Sequence, residues 1–220
     1  MKVNFAEIVV QGESLVLLPH RAVFWERRST LFIADTHFGK PTTISKASAI
    51  AAPQATITDD LSRLDEALAI TSARRLTVLG DFLHARAGSS PSTLEALEQW
   101  RTRHPEPEVL MVRGNHDLHA GDPPATWDID CRDEPVSEPP FVLRHMPEEE
   151  SGEYWLAGHM HPGYRLQGSG REAFTHPAFI IGQHGCVLPA FSGFTGLSRF
   201  APAQSDTVFV VVNQSVFRVV

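Results

Sequence analysis

The nonapeptide VLMVRGNHD, residues 109–117, runs four apolar residues into Arg113 and then into Gly114, Asn115, His116 and Asp117. A short apolar run closed by a glycine reads as a buried strand, here one that ends in side chains able to bind a metal. Four more stretches share this design. They are LFIAD (31–35) before Thr36 and His37, LTVLG (76–80) before Asp81, FVLR (141–144) before His145, and YWLAG (154–158) before His159, Met160 and His161. In open α/β sheets ligands gather at the carboxyl ends of strands, so residues far apart in sequence converge there. The repeated pattern therefore predicts one site along one edge of a sheet. Its donors are Asp35, His37, Asp81, Asn115, His145, His159 and His161. Imidazole mixed with carboxylate suits a pair of manganese, iron, zinc or cobalt ions better than calcium.

The chain around these stretches falls into two halves. EIVVQ and SLVLLP flank a turn near Gly12 and AVFWER follows, which reads as a hairpin meander. From Lys40 to about Thr71 the pattern is helical: ISKASAIAA, a break at Pro53, then TITDDLSRLDEALAI. In the latter, Ile57, Leu61, Leu64 and Leu68 recur at helical spacing, and Thr58 before Asp59 and Asp60 suits a helix start. A third helix is predicted from Ser92 to Arg103, with Leu94, Leu97 and Trp100 on one face. Strand and helix alternate here, so the expectation is a largely parallel sheet with helices outside. After Gly121 the Pro-rich, acidic passage DPPATWDIDCRDEPVSEPP offers only a short strand at WDIDC, and short strands alone follow. Strands without intervening helices imply antiparallel pairing in a second sheet packed on the first. The fold class expected is α/β, a four-layer αββα sandwich of mixed sheets with helices on both outer faces, in one domain spanning 1–220.

Bulk composition sets limits on function. The chain has 220 residues, 42% hydrophobic and 20% charged, enough for one substantial core and without a disorder signature. No apolar run approaches the length needed to cross a bilayer, and Glu7, Gln11 and Glu13 interrupt any leader-like core, so a cytoplasmic protein without a membrane partner is expected. Cys131 and Cys186 form no motif and read as reduced, partly buried thiols. A net charge of −7 argues against non-specific coating of nucleic acid, which relies on many Lys and Arg contacts. It leaves room for a nucleic-acid enzyme, since two bound divalent cations concentrate positive charge at one place.

Within the site, each short motif has its own chemistry. Asp35-x-His37 can aim two donors at one cation. Asp81 has two carboxylate oxygens, so it is the candidate to touch both cations of a pair roughly 3.5–4 Å apart. Asn115 adds a carbonyl oxygen without adding negative charge. His116 is then free to face a substrate, with Asp117 expected to orient its ring. His159 and His161, on alternate residues, can serve different cations.

The order D-x-H, G-D, G-N-H-D, a lone His and G-H-x-H, from Leu31 to about Pro162, resembles the calcineurin-like metallophosphoesterase family. That resemblance implies an αββα fold and a dinuclear centre. One ion would take Asp35, His37, Asp81 and His161, and the other Asp81, Asn115, His145 and His159, while His116 would stabilise or protonate the reacting phosphate. A narrower match covers most of the chain: Asp35-Thr36-His37-Phe38-Gly39-Lys40, Gly80-Asp81 with His84, His145 before Pro147, and Leu188-Pro189-Ala190-Phe191 with Phe194-Thr195-Gly196. It looks like the bacterial DNA ligase-associated, PdeM-like metallophosphoesterases. They are assigned to manganese-dependent phosphodiester cleavage in DNA repair and are encoded near an ATP-dependent ligase and a helicase-like protein. Thr36 for the usual leucine, Leu197 where a second glycine is common, and Glu148-Glu149-Glu150 after the lone histidine depart from that pattern.

The chemistry expected is phosphodiester hydrolysis by a hydroxide bridging two divalent cations, most simply Mn2+, with His116 protonating the leaving alkoxide. The expected substrate is DNA, with a small-nucleotide phosphatase or phosphodiesterase as the alternative. A non-catalytic scaffold is a third reading, disfavoured by the intact Asn115-His116-Asp117. Lys40, His84 and Arg113, and less directly Arg86, are candidates to contact the phosphate or the nucleotide beyond it. The Glu148-Glu149-Glu150 run is expected to be a solvated loop.

Overall fold

The opening meander folds as four antiparallel strands, β1 (Ala6–Val10), β2 (Glu13–Leu18), β3 (Ala22–Trp25) and β4 (Thr30–Ile33). This computed structural model describes residues 3–40, 55–84, 90–148, 152–168 and 172–220. β5 (Arg75–Leu79), β6 (Glu108–Val112) and β7 (Ile129–Arg132) then add in parallel to β4, completing a sheet in the order β1 to β7. The sheet is thus parallel only from β4 onward. WDIDC supplies its edge strand, β7.

From β2 to β6 both faces of this sheet are buried, which is why these strands read as apolar runs. Alternate residues divide between two cores, as the two-residue period of a strand requires. Val16, Leu18, Leu31, Ile33, Val109 and Met111 face the helices, whereas Leu15, Leu17, Phe32, Leu110 and Val112 face the second sheet. Covering the first set are α1 (Ala55–Thr71), through Leu61, Leu64 and Leu68, and α2 (Pro91–Arg103), through Leu97 and Trp100. The helices are joined where Trp100 Nε1 donates to Asp65 Oδ1 at 2.7 Å. Ser90 caps α2, its side chain accepting the Thr93 amide, and Pro91 occupies the first turn, where its missing N–H costs nothing. The ISKASAIAA segment lies outside the described residues.

In the second sheet β9 (Phe141–Leu143), β10 (Tyr154–Ala157) and β13 (Gly185–Val187) run parallel, with β8 (Val136–Glu138) antiparallel on β9. β12 (Ala173–Ile181) pairs antiparallel with β13, with β11 (Pro162–Gln167) and with β15 (Thr207–Val212). β16 (Ser215–Arg218) and the two-residue β14 (Ser198–Arg199) complete it. The antiparallel pairing expected of the second sheet is found at β8, β11, β12, β15 and β16 and gives way to parallel pairing among β9, β10 and β13. β9 and β10 each end in a histidine of the same site, and two strands that deliver residues to one edge must run the same way.

Phe141, Leu143, Leu156, Phe179 and Leu188 pack against the first sheet to form the core between the layers. On the far face of the second sheet no helix is found among the described residues. Trp155, Ala178, Ile180, Val187, Val208 and Val210 are covered there by Tyr164, Leu166, Phe200 and Val219, so the fourth layer is built from strand and loop side chains. No described helix is long and apolar enough to cross a membrane. Phe179 is completely buried between the sheets. Phe179→Ala is expected to lower the unfolding free energy by about 3–5 kcal/mol, measured by chemical denaturation of the metal-free protein.

Candidate metal centre

The turns that carry the predicted donors are bonded to one another beyond the strand ends. Asp35 donates its amide to the Gly80 carbonyl at 3.2 Å, and His37 donates to the Asp81 carbonyl at 2.8 Å, so the β4–β5 ladder continues into the site. Asp35, His37, Asp81, His159 and His161 all adopt left-handed backbone, with φ from 43° to 66°. Asp and His tolerate this region better than most residues, but it persists only where the surroundings over-determine it. Five such residues in one place mark a strained, preorganised constellation.

The side chains converge in two groups, Asp35 with His37 and His161, and Asp81 with His145 and His159. In the first, His37 Nε2 lies 3.2 Å from His161 Nε2. In the second, His145 Nε2 is 3.0 Å from both Asn115 Oδ1 and His159 Nδ1. The Asp81 carboxylate stands between them, Oδ2 at 3.7 Å from His37 Nε2 and Oδ1 at 3.5 Å from His145 Nε2. All seven predicted donors thus gather at one place, four from loops of the first sheet and three from loops of the second.

The donors fit divalent cations. Asp35 is fully buried, yet its Oδ1 has no hydrogen-bond partner and lies 3.5 Å from His161 Nε2. A buried carboxylate oxygen left this way is costly, and a cation would satisfy it. His145 Nδ1 donates to the Leu79 carbonyl at 3.1 Å, which leaves Nε2 facing Asn115 and His159. This is the usual way a metal-binding imidazole is oriented. Burial, reinforced by the Lys40 ammonium, pushes the His37 imidazole down to about 2, and burial beside His145 lowers His159. Neutral imidazole is the form that coordinates metal.

Three glycines make the convergence possible. A methyl group on Gly80 would collide with the His145 ring, one on Gly114 with the Asp81 carboxylate, and one on Gly158 would sit 2.6 Å from Asp35 Oδ2. Each glycine that precedes a donor clears space for a different donor.

The remaining predicted residues divide. His116 is half-buried beside the centre, its Nε2 3.9 Å from Asp81 Oδ2. Its Nδ1 donates to the His84 carbonyl at 3.0 Å, and its ring stacks on that of His84 with centroids 4.9 Å apart. Asp117 therefore does not hold the His116 ring, contrary to expectation. Its buried carboxylate accepts the amides of Phe82, Leu83 and Gly114 at 2.9–3.2 Å, tying the Asp81 loop to the Asn115 loop. His84 flanks the donors, its Nδ1 buried without a partner and its ring 5.4 Å from that of His37. Lys40 is half-buried; desolvation lowers its ammonium pKa while Asp81 and Asp35 act the other way, which sets it within electrostatic reach of both. Arg113 is corrected. Its guanidinium is committed to Asp122 at 2.7 and 2.8 Å and to Asp133 at 2.9 Å, and those bonds, Asp122 first, raise its pKa. It braces the loop instead of facing a phosphate.

Glu134 is a contributor that sequence reasoning missed. Its Oε2 accepts the amides of His145 at 2.7 Å and Met146 at 3.0 Å, fixing the lone-histidine loop. Nothing distinguishes it in sequence from its acidic neighbours. Arg86, Glu149 and Glu150 lie outside the described residues, and Glu148 pairs with Arg144 at 2.6 Å. Both cysteines are free thiols, Cys186 buried.

The family model described as calcineurin-like phosphoesterase matches residues 29–150, more than half of the chain. The chain belongs to the calcineurin-like phosphoesterase family. It is a hydrolase of phosphoric esters, in a family that uses divalent metals. Among solved structures, it is similar to the nuclease MPE of Pseudomonas putida, with 39% identity, a TM-score of 0.86, and 98% of this chain and 100% of that one covered. That likeness is consistent with a ligase-associated metallophosphoesterase. A distant likeness, at 15% identity and a TM-score of 0.41 over 86% of this chain and 97% of the other, is to Yfce, a phosphoesterase from E. coli. No curated protein matches the chain.

Gly114→Ala is expected to push Asp81 out of place and empty at least one of the two donor groups while the fold survives. Elemental analysis alongside circular dichroism checks this; full metal content would show that Asp81 has room to move.

Proposed function

We infer that this protein is a metal-dependent phosphodiesterase acting on DNA, a nuclease of DNA repair whose work lies beside that of an ATP-dependent ligase and a helicase-like protein in the cytoplasm. The observation that carries the dinuclear reading is the Asp81 carboxylate, with one oxygen turned to each donor group. Asp35, His37, Asp81 and His161 would hold one ion, and Asp81, Asn115, His145 and His159 the other, with Mn2+ the favoured metal. Bound there, the cations supply Lewis-acid activation of water and neutralise the charge of the phosphate. The full-length likeness to a protein described as a nuclease supports a polynucleotide substrate.

His116 is suited to the leaving-group side. Because Nδ1 is spent on the His84 carbonyl, Nε2 is the atom left to pass a proton to the departing oxygen. Stacking against His84 fixes the plane of the ring, and Asp117 fixes the backbone on which it sits. Lys40, within electrostatic reach of Asp81 and Asp35, and His84, whose ring lies 5.4 Å from that of His37, are assigned to the phosphate. The net charge of −7 favours a second reading, a phosphatase or phosphodiesterase for small nucleotides.

His116→Ala should retain both metals and lose turnover by about 10²–10⁴-fold, whereas Asp81→Asn should lose metal from both groups. Manganese-loaded and chelated protein assayed on single-stranded DNA, nicked DNA, nucleotides and a bis-aryl phosphate separates the readings. Activity on nucleotides with none on DNA would replace the first by the second, and a His116→Ala protein devoid of metal would refute the proton-donor role.

A further inference from the structure

The LPAF and FTG segments have no part in the metal chemistry, yet they join its ligands. After β13 the Leu188 amide donates to the Ala157 carbonyl at 2.8 Å, and the Phe191 amide to the Ala34 carbonyl at 2.7 Å, so the chain passes from one sheet to the other. The Ser192 amide then donates to the Asp35 carbonyl at 3.4 Å, and six residues later the Ser198 amide donates to the His161 carbonyl at 2.9 Å. Asp35 and His161 belong to the same donor group. The loop from Gly193 to Leu197 is thereby strung between the backbones of two residues of one donor group. Its large apolar side chain, Phe194, is 38% exposed.

Behind the loop sits a charged clamp. Asp60 of α1, only 4% exposed, accepts the Gly193 amide at 3.0 Å and pairs with Arg63 at 3.0 Å. Arg63 donates to the Phe191 carbonyl and lies over the Phe191 ring, and Arg21, from the β2–β3 turn, donates to the Ser192 carbonyl at 2.8 Å. The Phe194 amide donates to Ser192 Oγ at 3.1 Å. Asp60 is buried and Arg21 and Arg63 are half-buried against this loop, and burying a charge is expensive unless it is paired, as Asp60 is with Arg63. A loop held this firmly fixes the backbone that carries the exposed Phe194.

We propose that Phe194 is a substrate contact that stacks on the nucleobase next to the scissile phosphate, and that Asp60 is a positioning residue that sets the height of the Phe194 loop. An exposed ring on a loop whose two ends are hydrogen-bonded to the backbones of Asp35 and His161 suits a ligand whose phosphate is flanked by a flat π-face, and base stacking is tolerant of sequence. This rests on the nucleic-acid reading above.

The test uses the metal-loaded protein with bis(p-nitrophenyl) phosphate as reporter, inhibited by oligothymidylate or by an abasic strand of equal length. The ratio of the two Ki values cancels any change in turnover of the reporter. The wild type is expected to bind the base-bearing strand about tenfold more tightly, the scale of one base stack. Phe194→Ala should abolish that preference and Phe194→Tyr restore it. Asp60→Asn should reduce it with metal content intact, and Arg21→Gln repeats the measurement should Asp60→Asn fail to fold. A wild type without preference, or a Phe194→Ala protein that keeps it, overturns the contact. An Asp60→Asn protein that keeps the full ratio, or that loses metal, overturns the positioning role. DNA cleavage is scored separately: a wild type that prefers the base-bearing inhibitor without cutting DNA refutes the assigned substrate and leaves the contact standing.

Discussion

One buried carboxylate joins the two halves of the molecule. Asp35, at the end of β4 in the first sheet, accepts the His159 amide at the end of β10 in the second, at 2.8 Å. Its own amide is held by Gly80, and its carbonyl receives Ser192. A group with no solvent exposure and this many directed bonds has one place to be, and the edges of both sheets are aligned around it. Charge-assisted bonds of this kind are stronger than neutral ones and tolerate little displacement.

Around that anchor, the backbone is arranged for the side chains. Ordinary strand ends would splay their residues alternately to opposite faces. Left-handed turns at five donors redirect them to one point, and the ladder of amide bonds between neighbouring loops holds those turns against relaxation. Asp117 and Glu134 serve the same end from outside, each accepting amides from loops that carry donors. The carboxylates of this region thus do two jobs, some facing the centre and others fixing the chain behind it.

Much of this was legible in the sequence because the fold and the site share one signal. Apolar runs that stop at Asp, His or Asn marked both the buried strands and the donors, and the helical spacing of Ile57, Leu61, Leu64 and Leu68 marked α1. The strand directions of the second sheet were less visible, since pairing depends on where loops return and not on composition. The same holds for contacts made by common residues. Arg113 reads as a phosphate ligand beside the Gly114-Asn115-His116 motif until Asp122 and Asp133 are seen to occupy it, and nothing in the string of acids from Asp128 to Glu138 singles out Glu134.

The division of the donors between the sheets has a consequence for assembly. Asp35, His37, Asp81 and Asn115 come with the first layer, and His145, His159 and His161 with the second, so each of the two donor groups draws on both layers. Neither layer alone offers a complete donor group, so a metal would be held tightly there only once the layers have docked. The binding free energy of a metal held there would flow only to the fully folded chain, which would make the ion a latch on the closed sandwich and its capture a reporter of the last step of folding.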